Sequence, residues 1–152
     1  MTQELRRTPF HGLHVRQGGK MVPFAGWEMP VQFPHGILHE HHQVRRAAGL
    51  FDVSHMGRLH FRGPGGFEYA DRLITNNLKK VSPGQLIYSA LCNDAGGIID
   101  DVTAYHLGDE VMLVVNASNR ENVWRWATAH QPAGVEMLDR TDELAQIALQ
   151  GP

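Results

Sequence analysis

Short apolar runs separated by turn chemistry dominate the second half of this chain, and their spacing predicts strands. "QLIYSALCN" (85–93), "GIIDDVTAYHL" (97–107) and "EVMLVVN" (110–116) are rich in β-branched and aromatic residues. Joined by Asp94-Ala95-Gly96-Gly97 and by "GDE", they predict a three-stranded antiparallel meander. "LFDVSHMGRLHFRG" (50–63) alternates and reads as another strand, while "GVEMLD" and "ELAQIALQ" read as short closing strands. Helical spacing appears elsewhere. Ile37, His41, Val44 and Ala48 form one stripe ended by Gly49, and Phe67, Ala70, Leu73 and Ile74 form a second after the "GPGG" turn. "SNRENVWRWATAH" predicts a third helix, with Ser118 and Glu121 at capping-box spacing. Near the start, Thr8 as N-cap, Pro9 at the first helical position and Gly18 or Gly19 past the end predict a short helix. The prolines of "KMVPFAGWEMPVQFP" keep that stretch extended. Helices mixed with tight hairpins indicate an α+β fold: an antiparallel sheet with flanking helices.

Composition narrows the function without naming it. The chain has 152 residues, 42% hydrophobic and 20% charged, enough for a real core. Its 14 basic and 16 acidic residues are interspersed, giving a formal charge of −2, so no basic face for nucleic acid is expected. No apolar run approaches the roughly 20 residues of a membrane span. The start lacks an apolar signal core, and one cysteine, Cys92, suits a reducing compartment, so a cytoplasmic location is expected. The stop at "IALQGP", straight after an apolar alternation, suggests part of a larger protein.

Several motifs look chemical and fail on spacing. The histidines of "HGILHEHH" (35–42) miss the His-Glu-x-x-His pattern, and His35 with His39 lacks a third ligand at sensible spacing, so no metal is expected. Ser54 and His55 are strand neighbours facing opposite ways, with no nucleophile elbow around the serine. "GPGGFEYA" lacks both the P-loop lysine and the dinucleotide spacing, and Cys92 has no nearby cation to activate it.

The adjacent acids of "NDAGGIIDD" (93–101) are the best candidates. Strand alternation sends Asp100 and Asp101 to opposite faces, so if one side of the sheet is covered, one carboxylate heads inward. Asp101 then shares a face with Ile99, Thr103, Tyr105 and Leu107. A four-residue hairpin loop pairs Asn93 with Ile98 and brings Tyr88 to the same face. A carboxylate, a hydroxyl and two phenols among apolar neighbours suit a flat, nitrogen-rich ligand. Spacing alone leaves a solvent-exposed acid equally open.

"KMVPFAGWEMPVQF" (20–33), "GLFDVSHMGRLHFRGP" (49–64), "NDAGGIIDDVTAYHL" (93–107), "VVNASN" (114–119) and "ALQGP" (148–152) resemble the T-protein family of the glycine cleavage system, the tetrahydrofolate-dependent aminomethyltransferases. The resemblance runs from about Arg7 to Pro152. It implies that residues 1–152 are the N-terminal portion of a folate-binding domain, with the rest of that domain and a C-terminal barrel lying outside this chain. It also implies a reaction: the aminomethyl group on lipoylated H-protein gives up ammonia, and its methylene passes to tetrahydrofolate. In that family the second acid of Gly-Gly-x-x-Asp-Asp is critical, here Asp101, and the folate-contacting positions that carry over are Met56, Tyr88, Thr103 and Tyr105. The expected partners are H-protein and tetrahydrofolate, with self-association of a chain cut at Pro152, which alone is expected to be inactive. The alternative is a folate-binding module of a related dehydrogenase or iron–sulfur-assembly protein, without the transferase activity.

Overall fold

The structure is a computed structural model describing residues 4–152, and the chain folds as two compact units: residues up to His55 with Leu144–Pro152, and Met56–Glu143.

The first unit holds two small ribbons and two helices. After helix α1 (His11–Arg16), strands β1 (Met21–Phe24) and β2 (Trp27–Pro30) form a hairpin whose two turn residues, Ala25 and Gly26, both have positive φ (48° and 81°). Such a turn matches the twist of the strands it joins. Helix α2 (Ile37–Arg46) is followed by β3 (Gly49–Asp52), which pairs antiparallel with the last strand, β9 (Ile147–Gln150). The expected Thr8 cap does not form. Helix α1 starts three residues later, and the Thr8 hydroxyl donates to Asp52 at 2.6 Å. Asp52 also accepts from His14 Nε2 at 2.8 Å and from the Ser54 amide at 3.0 Å. Burial works against ionisation of this carboxyl, but the Thr8, His14 and Ser54 hydrogen bonds outweigh it and hold it below the ordinary value. The stripe predicted for α2 is not buried: Ile37 is 55% exposed, and no residue of the helix is buried.

The second unit carries the core. Strands β4 (Gly57–Arg62), β5 (Leu86–Cys92), β6 (Ile98–His106), β7 (Glu110–Val115) and β8 (Glu136–Asp139) form one antiparallel sheet in the order β5-β6-β7-β4-β8. The predicted meander is there as β5-β6-β7. The single strand expected over 50–63 is broken by a turn at Ser54 and His55, so β3 and β4 belong to different units. Helices α3 (Gly66–Leu73) and α4 (Arg120–Ala129) cover one face of the sheet. There Leu59, Phe61, Val102, Ala104, Val111, Leu113 and Val115 pack against Tyr69, Ala70, Leu73, Val123 and Ala127. A 3-10 turn at Leu78–Lys80, not anticipated from the pattern, buries Leu78 in the same core. Helix α4 begins at Arg120 behind Asn119, with no side-chain cap, so the Ser118 capping box is absent.

Candidate functional site

The hairpin β5–β6 sets the site, and its turn differs from the four-residue loop expected. The Asn93 amide donates to Gly97 O at 2.8 Å, which closes a three-residue loop with Gly96 at φ 80°. That is the common three-residue hairpin in which a left-handed glycine follows a turn. The offset is then repaired by a bulge: Cys92 pairs with Ile98, but Leu91 pairs with Asp100 and Ala90 with Asp101, leaving Ile99 as the extra residue. Beyond the bulge the register is the one expected, with Tyr88 opposite Thr103 and Leu86 opposite Tyr105. The bulge also breaks the alternation. Strict alternation puts Ile98 on the same side as Asp100, yet it stands 72% exposed.

The two aspartates part company here. Asp100 is 2% exposed on the covered face. Its carboxylate accepts from the Asn116 amide N at 2.8 Å, Asn116 Nδ2 at 2.9 Å and Asn119 Nδ2 at 2.8 Å. Three donors meet the cost of burying the charge. Asp101 stands on the open face, where Tyr88 Oη donates to Oδ2 at 2.7 Å and Asn116 Nδ2 to Oδ1 at 3.0 Å. Each carboxylate oxygen keeps lone-pair capacity for a further donor. The hydrogen bond to Asp101 is also the main reason the Tyr88 phenol is raised above its ordinary pKa.

Thr103 and Tyr105 follow on the same face, both half-buried. Met56 directly precedes Gly57, whose partner Val115 is followed by Asn116, so Met56 lies at the end of the sheet where Asn116 holds Asp101. The five positions named from sequence therefore lie on one face or at one end of one sheet. Asn116 and Asn119, which tie the acid pair to β7 and to the start of α4, were missed as site residues. The signal was present, because "VVNASN" follows a strand and supplies two amides where the chain leaves the sheet.

Ser54 exchanges hydrogen bonds with the Gln146 backbone, its hydroxyl donating to the carbonyl at 3.2 Å and accepting from the amide at 3.0 Å. The His35 and His39 rings lie 4.9 Å apart, but no group of three metal-ligating side chains occurs among the described residues. A cleft of about 560 Å³ lies within the first unit, lined by Phe10, Leu13, Met29, Phe33, Val44 and Phe51 among others. Its two buried polar groups, His14 and Asp52, are committed to each other. No described helix is long and apolar enough to cross a membrane.

An antiparallel α+β unit presenting an exposed acid that accepts from a phenol and an amide is the class that fold and site define. Residues 10–152 match the model of the GCVT N-terminal domain, and the chain belongs to that family. It is 49% identical over 151 residues to an aminomethyltransferase of Desulforamulus reducens, covering 99% of this chain and 41% of that protein. An aminomethyltransferase of Geobacillus kaustophilus is 46% identical over 149 residues, covering 97% and 41%. The crystal structure of glycine cleavage system aminomethyltransferase T from Bartonella henselae superposes with a TM-score of 0.87 at 34% identity, covering 97% of this chain and 41% of that one. The chain thus spans about two fifths of the length of the relatives it matches.

Proposed function

We propose that this chain is the N-terminal part of a folate-binding domain in an aminomethyltransferase. In this reading the enzyme takes the aminomethyl group from lipoylated H-protein, releases ammonia and passes the methylene to tetrahydrofolate. The observation that carries it is Asp101, an open-face carboxylate on β6 held by Tyr88 and Asn116. Positive charge develops on the migrating methylene and the departing amine, and an ionised carboxylate opposite that charge lowers the barrier. Because Tyr88 and Asn116 already orient both oxygens, little reorganisation is needed during transfer. Thr103, Tyr105 and Met56 supply the hydroxyl, the aromatic wall and the thioether around a flat pterin. No step needs a metal. One cysteine in 152 residues favours a reducing location such as the cytoplasm.

The test is transfer itself. With aminomethyl-lipoyl H-protein and tetrahydrofolate, the full-length protein should form 5,10-methylenetetrahydrofolate and ammonia in equal amounts. Folate binding with no transfer would point instead to the dehydrogenase-type or iron–sulfur-assembly module. Self-association is proposed through the β3–β9 ribbon, where Leu50 and Leu149 stand 71% and 70% exposed. Sedimentation showing only monomer at micromolar concentration would remove that part.

A further inference from the structure

We infer that Arg58 is a positioning residue for the site, and that its buried guanidinium fixes Met56 at the end of the sheet where Asp101 stands. The inference rests on the folate reading above. Arg58 is 1% exposed, an unusual place for so large a cation. Its Nη1 donates to the Met56 carbonyl at 2.9 Å, and its Nη2 donates to the Thr141 carbonyl. Its own backbone is held as well: the amide donates to Thr141 Oγ1 at 3.0 Å, and the carbonyl accepts from the Arg140 amide at 3.0 Å.

The holding group is itself braced. Thr141 donates through its hydroxyl and its amide to Asp139 Oδ1, at 2.5 and 3.0 Å. The other oxygen of Asp139 accepts from Arg120 Nε at 2.6 Å. Arg120 lies at the start of α4, and its stem covers Gly57: a Cβ there would come within 3.1 Å of Arg120 Cγ and 2.6 Å of Val115 Cγ2. A continuous run of contacts therefore joins α4, the end of β8, the start of β4 and the Met56 backbone. Met56 follows a turn and has no ladder of its own, so the guanidinium supplies the constraint that a strand would otherwise supply. Met56 and Asn116, which grips Asp101, each lie one residue beyond the terminal Gly57–Val115 pair.

A fork is required. Arg58 reaches two carbonyls on different segments, and the planar guanidinium offers both donors at fixed spacing, whereas a lysine ammonium is a point donor on a flexible stem. Arg58→Lys should therefore keep the fold and loosen Met56.

The experiment is a double-mutant cycle in the full-length protein, with tetrahydrofolate affinity and steady-state kinetics measured for Arg58→Lys, Met56→Ala and the double variant. Expected are a roughly tenfold weaker folate Kd and raised folate KM for Arg58→Lys. Its kcat at saturating folate and its KM for the aminomethyl donor should stay within about twofold of the parent. The double variant should bind folate no more weakly than Met56→Ala alone, because the arginine acts through the methionine. Should Arg58→Lys fail to fold, Thr141→Val serves instead: it removes the hydroxyl but keeps the carbonyl, and should show a two- to threefold loss in the same constants. Folded variants with unchanged folate affinity, or losses that multiply in the double variant, overturn the inference while leaving the folate reading standing. A parent protein that binds no folate overturns both.

Discussion

The two faces of the five-stranded sheet use the same strands for opposite ends. On the covered face Val102, Ala104, Leu113 and Val115 are fully or almost fully buried, and the acid Asp100 is sealed by three donors. On the open face Tyr88 is 63% exposed, and Asp101, which follows Asp100 in sequence, keeps only two side-chain donors. One residue of strand alternation converts a structural acid into an accessible one. The lesson is that a pair of adjacent acids need not act together. Asn116 makes the pair a unit, since its single side-chain nitrogen reaches both carboxylates.

The sharpest way to break this comparison is to neutralise each acid in turn. Asp101→Asn should lower kcat by about 10²–10³-fold, the usual cost of removing one preorganised charge-stabilising group, with folate affinity altered only modestly. Asp100→Asn should act on stability, costing about 1–3 kcal/mol in urea unfolding because buried amide donors lose a charged acceptor. Comparable kcat losses from both variants would end the division of labour. The phenols sharpen the open face further. Tyr88→Ala and Tyr105→Ala should each weaken folate binding by roughly 1–3 kcal/mol, the range for an aromatic stacking surface, with little change in urea midpoint. Equal loss of stability and affinity would place these rings in the core's account instead.

Much of this was legible in the sequence because period-two alternation is a local signal. The meander, the opposed aspartates and the grouping of Tyr88, Thr103 and Tyr105 all follow from which side each residue takes. What failed had non-local causes. The Ile99 bulge comes from closing a three-residue loop, and the alternation at Ile98 inverts with it. Thr8 and Ser118 carry good capping chemistry, but Thr8 is drawn off by Asp52, forty-four residues away. The break at Ser54 and His55 splits an alternating run between two units, and nothing in the period of two announces it. Asn116 and Asn119 were readable as strand-end residues, yet their partners appear only once β7 lies beside β6.

The smallest expected effect concerns acid. Asp139 pairs with Leu59 in the register and so belongs to the covered face, like Asp100. Its carboxyl is half-buried, and burial alone would raise its pKa. The Arg120 guanidinium and the Thr141 hydroxyl and amide reverse that and hold it below the ordinary value. The sign follows from linkage. A carboxyl whose folded pKa lies below its unfolded one, about 3.9 for aspartate, stabilises the fold fully at higher pH. That contribution is lost as pH falls through about 3.9 toward the lower folded value. Urea midpoints should therefore be flat from about pH 7 to pH 5 and fall below it. Asp139→Asn should start lower at neutral pH and lose less on acidification, so the two curves converge. Parallel curves for Asp139→Asn would show that the arginine brace contributes nothing to acid stability, and would move the acid sensitivity to Asp52 in the other unit.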